Sequence, residues 1–423
     1  MITWILIFIT AFTGFTTSQI EVGYKPPPMG WNSYNAFHYD INEALIRQHV
    51  DIIANQGYLA VGYRYINLDD GWQASARTAD NKLSPDSSKF PSGIKDYMHK
   101  NGLLFGIFSD AGTQTCGGFP GSLDYEDTDA QTFVDWDVDY LKYANCNDQG
   151  RPEQQRYQIM GYALKSATTG KNKTIFYNIC EWGTSNAWLW GPDVGGNSWR
   201  ISADNNAFWP SIMSIINSQA RLTEYGGSGR GWNDLDMLVL GFDYIHYEEQ
   251  VTHYAFWAAL KAPLILGCDL TKVNNETKAL ILNEDIISVN QDPLGLSICQ
   301  VYYRNENKSS FDIWTGPLND GYVAILFNRG IEPISITLDF KEHCHLNGSI
   351  EIYDLVHKKP YGSFTNKYVH ILNNSISTFH INDYINWIIT SYTATDIPKH
   401  GVEFIKLIGG NNIDDIRPCL NYS

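Results

Sequence analysis

The sequence predicts an α/β fold: a (β/α)8 TIM barrel followed by a C-terminal antiparallel β-sandwich domain. Three observations point there. Eight short β-branched or aromatic runs each end in a polar, Gly-rich loop. Longer stretches with apolar residues at helical spacing separate them. After "VNQDPLG" the texture changes to alternating runs that turn at Gly and Asn. The expected division is a signal peptide over 1–18, a barrel over 19–297 and a β domain over 298–423.

The eight strand runs are "PPMGWNSY", "YRYINLDDGW", "GLLFGIFSDAG", "VDYLKYANC", "TIFYNICEWG", "SWRISADN", "GRGWNDLDMLVLG" and "APLILGCDL". Between them, "INEALIRQHVDIIANQG" and "EEQVTHYAFWAALK" carry an amphipathic helical pattern. The first of these stops at Gly57, a residue suited to a helix C-terminus. The stretch "QVYYRNENKSSFDIWTGPLNDGYVAILFNRG" alternates with period two and opens the C-terminal β domain.

The chain has 423 residues, 43% of them hydrophobic, enough for a large core. Its net charge of −16 argues against binding nucleic acid or an anionic membrane. The N-terminal "MITWILIFITAFTGFTTSQ" reads as a secretory signal, too short for a comfortable span. Six Asn-x-Ser/Thr sites, at Asn172, Asn275, Asn307, Asn347, Asn373 and Asn421, fit an exported chain, secreted or vacuolar/lysosomal. The seven cysteines include no CxxC pair, so no zinc knuckle is expected, and the odd count leaves at least one thiol outside an intrachain disulfide.

In such a barrel the chemistry sits at the C-terminal strand ends. Those ends carry Asp69, Asp70, Asp110, Glu181, Asp204, Asp234 and Asp236. A carboxylate cluster can bind a hard metal, run glycoside hydrolysis as an acid and nucleophile pair, or accept from sugar hydroxyls. Trp31, Trp72, Trp182 and Trp232 fall near the same ends and suggest stacking on pyranose faces, which favours a carbohydrate site. No His joins the acids at ligand spacing, so neither a metal nor another cofactor is expected.

The motifs "PPMGWNSYNAF", "YINLDDGW", "KFPSGIKDYMHKNGLLFGIFSDAGTQTCGGFPGSL", "DAQTFVDWDVDYLKYANC", "CEWG", "GNSWRISADN", "GWNDLDML" and "VNQDPLG" resemble, in order, those of glycoside hydrolase family 27, the α-galactosidase or melibiase family. The resemblance implies a retaining hydrolase acting on an α-galactoside. It implies that Trp31 lines the sugar pocket and that Asp69 and Asp70 bind O4 and O6. Lys142 would reach O3 and O4, and Glu181, with Trp182 beside it, would contact the 2-position. Arg200 would contact O2, and Asp204 would be the acid/base. Asp236 would lie near the pocket floor, in a binding or a plain supporting role. Cys116 and Cys146 occupy the positions of a loop disulfide. Glu181, bulky and anionic, would favour galactose over its 2-acetamido relative.

Two departures stand out. "DDGW" and "NAFHYDIN" lack a cysteine pair that the family often has, a harmless joint loss. More important, the family nucleophile is the Asp of Lys-Tyr-Asp-Asn-Cys, and here Ala144 takes its place between Tyr143 and Asn145. A retaining glycosidase needs two carboxyls about 5 Å apart, and an alanine can neither attack carbon 1 nor stabilise the cation. Asp110 and Asp148 are the nearest alternatives, one on another strand end and one beyond Cys146. The expectation is therefore a working α-galactosidase scaffold disabled at one residue, the alternative being a natural galactoside-binding pseudoenzyme.

Overall fold

The computed structural model describes residues 26–305, 310–364, 370–372, 375–377 and 391–412. Each of the eight runs contains one strand: β1 Met29–Asn32, β2 Tyr65–Leu68, β3 Leu104–Asp110, β4 Tyr140–Ala144, β5 Phe176–Ile179, β6 Ser198–Arg200, β7 Trp232–Asp234 and β8 Leu264–Leu266. They form one parallel sheet ordered β7-β6-β5-β4-β3-β2-β1-β8. The ends of this ribbon meet just past β7, where Leu238 bridges Leu266 in parallel. Two backbone hydrogen bonds make that seam, Leu238 N to Ile265 O at 2.8 Å and Gly267 N to Leu238 O at 2.9 Å. The sequence-predicted barrel is thus the observed architecture.

The strands are apolar on both sides because both sides are covered. Outward residues such as Ile66, Ile107, Leu141 and Tyr143 pack under the helices. Inward residues fill the barrel, with Tyr140, Phe176 and Trp232 forming a bottom layer. Gly106 of β3 is required by close approach, since a Cβ there would meet Asn67 Oδ1 at 1.8 Å. The helix Glu43–Asn55 is capped at its start by the Asn42 side chain, which accepts from Leu45 N. It ends ahead of Gly57 at φ +96°, a conformation that favours glycine.

The C-terminal strands are β9 Cys299–Arg304, β10 Phe311–Leu318, β11 Gly321–Asn328, β12 Ile334–Asp339, β13 Leu346–Asp354, β14 Lys359–Phe364, β15 His370–Leu372, β16 Ser375–Ser377, β17 Ser391–Ile397 and β18 Val402–Asn412. Six make an antiparallel sheet, β14-β13-β18-β11-β10-β9, and β12 pairs with β17. Ala324, Leu326, Ile336, Leu338 and Ile405 form the core between these two layers. Alternation turns Val323, Ile325 and Phe327 the other way, into the barrel core. There Phe256, on the helix Tyr247–Ala259, meets the Trp314 and Phe327 rings at 5.3 and 5.4 Å. His400 reinforces the junction, stacking on Trp209 at 4.6 Å and meeting Glu249 at 2.7 Å. Among the described residues no helix is long and apolar enough to cross a membrane.

Candidate active site

Parallel strands bring all eight C-terminal ends to one rim, and side-chain alternation decides what points inward. On β4, Tyr140 lies in the bottom layer and Lys142 stands two residues above it. Ala144 ends the strand on that same inner face. Lys142 Nζ meets Asp69 Oδ2 at 2.7 Å and lies over the Tyr34 and Phe108 rings at 5.7 and 5.6 Å. Burial works against its charge, but Asp69 and the other nearby acids outweigh that penalty and raise its pKa. Asp69 Oδ2 also accepts from Asn32 Nδ2 at 2.7 Å. Beneath Lys142 a polar space of about 20 Å³ is lined by Asn32, Asn67, Asn178, Asp234 and Asp236.

Arg200, at the end of β6, is the second buried cation. It reaches Asp204 Oδ1 at 2.9 Å and Asp236 Oδ1 at 3.2 Å. Its side chain is 1% exposed while that of Asp204 is 59% exposed, so the fork holds one acid inside and presents the other to solvent. For Asp204, burial pushes the carboxyl up, but Arg200 and Lys142 outweigh it and leave the pKa below its ordinary value. For Asp236, burial wins and the pKa is raised. Asp236 sits at φ +68°, fixed by Asn205 N on Oδ2 at 2.7 Å and by the Trp257 indole on its carbonyl at 2.7 Å.

Asp70 accepts from Gly71 N at 3.0 Å and Gly117 N at 2.8 Å, and burial pushes its pKa up to about 6. Asp110 is equally committed, accepting from Gly112 N at 2.8 Å and Cys146 N at 3.1 Å, and burial raises it to about 7. These bonds hold the loops after β3 and β4, which the Cys116–Cys146 disulfide joins. The grouping of Asp110 with those two cysteines resembles a metal ligand set, but both sulfurs are spent on each other. Cys299 is also disulfide-bonded, and Cys180, Cys268 and Cys344 are free and buried. Of the six Asn-x-Ser/Thr sequons, Asn172, Asn275 and Asn347 are exposed; Asn307, Asn373 and Asn421 lie outside the described residues.

The structure places the other candidate residues as follows. Glu181 is wholly buried, and its carboxylate already takes four donors from its own loop: Thr184 Oγ1, Ser185 N, Ser185 Oγ and Ala187 N. It staples the 181–187 turn rather than offering a free acceptor, because four backbone and hydroxyl donors converge on it. Trp72 and Trp232 are core residues. Trp72 donates to Phe108 O at 2.9 Å and edges Trp136, while Trp232 lies in the bottom layer. Trp31 is also enclosed, its indole donating to Cys268 O at 2.8 Å and stacking on His49 at 4.5 Å. Trp182 is partly exposed, at φ +58°, and lies close enough to the Asp204 carboxyl to help lower its pKa. Asn32, Asn178 and Cys180 escaped notice, though their strand-end positions could have flagged them. Arg200 makes contact with Cys180 Sγ at 3.6 Å.

Asp110 is not as remote from Ala144 as its separate strand suggested. The two are register partners on β3 and β4. Asp148 points away, 4.0 Å from Arg156. The rim therefore offers two buried cations, each bound to carboxylates, and a methyl group between the positions of Asp110 and Cys180.

The barrel matches the family model described as "Alpha galactosidase A" over residues 26–292, and the "Alpha galactosidase C-terminal beta sandwich domain" model over 308–378. The chain is 43% identical to the alpha-galactosidase of Cyamopsis tetragonoloba over 323 residues, 75% of this chain and 76% of that one. It is 40% identical to a probable alpha-galactosidase of Dictyostelium discoideum over 316 residues, 74% and 80% of the two chains. Alpha-galactosidase I from Mortierella vinacea superposes with a TM-score of 0.81 at 33% identity, covering 92% of this chain and 98% of that one. The Saccharomyces cerevisiae enzyme solved with raffinose gives 0.79 at 28% identity, covering 91% and 98%. On its barrel, its appended sandwich and these matches, the chain belongs to the alpha-galactosidase (melibiase) family of glycoside hydrolases.

Proposed function

We propose that this chain binds terminal α-linked galactose at the barrel rim and is disabled for its hydrolysis. The observation that carries the reading is Ala144, which stands on the inner face of β4 two residues beyond Lys142, where the family motif has its nucleophile. Raffinose bound to the Saccharomyces cerevisiae relative supports a galactoside ligand. Asp204 has the exposure that an acid/base needs, and Arg200 orients it. Asp69, Asp70, Lys142 and Trp182 are assigned to the sugar, with Trp31 and Asp236 supporting the floor. Without a second carboxyl the double displacement has no first step, so Asp204 can protonate a leaving oxygen but no glycosyl-enzyme forms.

The test is Ala144→Asp assayed on an aryl α-galactoside. A retaining site that acts as a unit should gain on the order of 10⁴-fold or more in kcat. If the folded revertant binds galactose by calorimetry but stays inactive, the second reading stands: a natural galactoside-binding protein with no catalytic parent. Survival of Lys142, Arg200, Asp204, Asp69 and Asp70 together favours the first, since a site released from catalysis has no reason to keep its acid. Loss of galactose binding in both forms would defeat the two readings alike.

A further inference from the structure

The outer face of the barrel between β2 and β3 is incompletely covered. The crossing from Leu68 to Leu104 holds one six-residue helix, Lys95–Lys100, whereas the crossings after β3 and β4 carry helices of 10 and 16 residues. Where further turns would pack there is a cavity of about 450 Å³. Small-molecule sites span roughly 300–1,000 Å³ and are mostly apolar with a few placed polar groups. The floor here is Leu68, Phe105 and Ile107, outward residues of β2 and β3. Two indoles, Trp72 and Trp136, meet edge to face at 5.7 Å along one wall. The rim is charged, and most of its charges are already engaged. Arg47 pairs with Glu43 at 2.8 Å and lies over Tyr97 at 4.2 Å. Lys95 pairs with Asp96 at 3.2 Å, and Asp135 accepts from Gln131 at 2.7 Å. Lys100 lines the same rim, is exposed, and has no carboxylate partner among the described residues.

We propose that this cavity is a second binding site, separate from the sugar rim, for a small amphipathic anion: an aryl or medium-chain alkyl group ending in a carboxylate or sulfonate. The apolar body would displace water from the floor and the indoles, and the acid would sit at Lys100. An apolar body suits the floor, and Lys100, the rim cation without a carboxylate partner among the described residues, selects a negative head group.

The probe is 8-anilinonaphthalene-1-sulfonate, titrated by fluorescence into the full chain, with decanoate as competitor. The expected result is saturable binding of one equivalent and displacement by decanoate. Lys100→Glu, an exposed change that spares the core, should weaken binding about tenfold. Ile94→Trp, which fills the cavity, should abolish it in protein that keeps its native circular dichroism. The proposal is overturned by non-saturating fluorescence, by equal binding in Lys100→Glu, or by equal affinity for the uncharged N-phenyl-1-naphthylamine.

Discussion

Asp110 and Ala144 are register partners on β3 and β4, and they divide the labour of the rim between them. One is a carboxylate bound to two backbone N–H groups of the adjoining loops; the other is a methyl with no chemistry to offer. Each Asp110 oxygen already accepts from one backbone N–H, Oδ1 from Gly112 and Oδ2 from Cys146.

The first prediction follows from that burial. Asp110 and Asp70 have folded pKa values near 7 and 6, against about 4 when unfolded. Raised carboxyl values mean that the folded state holds protons the unfolded chain has lost. Their contribution to stability is therefore intact below about pH 4 and is lost as pH rises to 6–7. The melting temperature should fall across that window, by the equivalent of a few kcal/mol. Asp110→Asn, which cannot ionise, should melt lower at pH 4.5 but show a flatter decline to pH 7.5. An equal slope in differential scanning fluorimetry would refute this.

A second concerns Asp204. Arg200 and Lys142 hold its pKa below the ordinary carboxylate value, unhelpful for a general acid. A carboxylate at position 144 would restore a negative neighbour, so Ala144→Asp should raise the Asp204 pKa. Carbon-13 NMR titration of the two forms measures it directly, and an unmoved value counts against the shared site.

Arg200 is the third case. Arg200→Met would leave Asp236 buried with its counter-charge gone, at a cost of about 3–5 kcal/mol in urea unfolding. The double change Arg200→Met with Asp236→Leu should recover part of that loss. No recovery would mean that the two act separately.

Glu181 gives a prediction that runs against the motif reading. Because four donors already converge on its carboxylate, Glu181→Gln should cost about 1–3 kcal/mol in stability. It should leave the preference between galactose and N-acetylgalactosamine unchanged by calorimetry. A switch in preference would show that Glu181 reaches the ligand.

The eight strands were legible because each packs on two apolar faces and then breaks into Gly-rich turns. The acids were legible because strand ends share one rim. What escaped was set by direction. Trp72 and Trp232 sit near the right strand ends, but their rings turn into the core. The donors that the 181–187 loop turns onto Glu181 left no mark in the motif. Asp110 was set aside as belonging to another strand, whereas parallel register makes adjacent strands the closest neighbours. The thin cover over β2 and β3 was hidden for a related reason: residues 71–94 show no helical period, and a cavity leaves no mark in a sequence.

The seam at Leu238 and Leu266 has a consequence of its own. Five register pairs join β3 to β4, but here the ring is fastened by a single stitch of two backbone bonds. Asp236, only two residues from that stitch, carries half of the Arg200 fork. If the ring breathes anywhere it is there, and the same fastening that completes the circle also sets how steadily the acid at the rim is aimed.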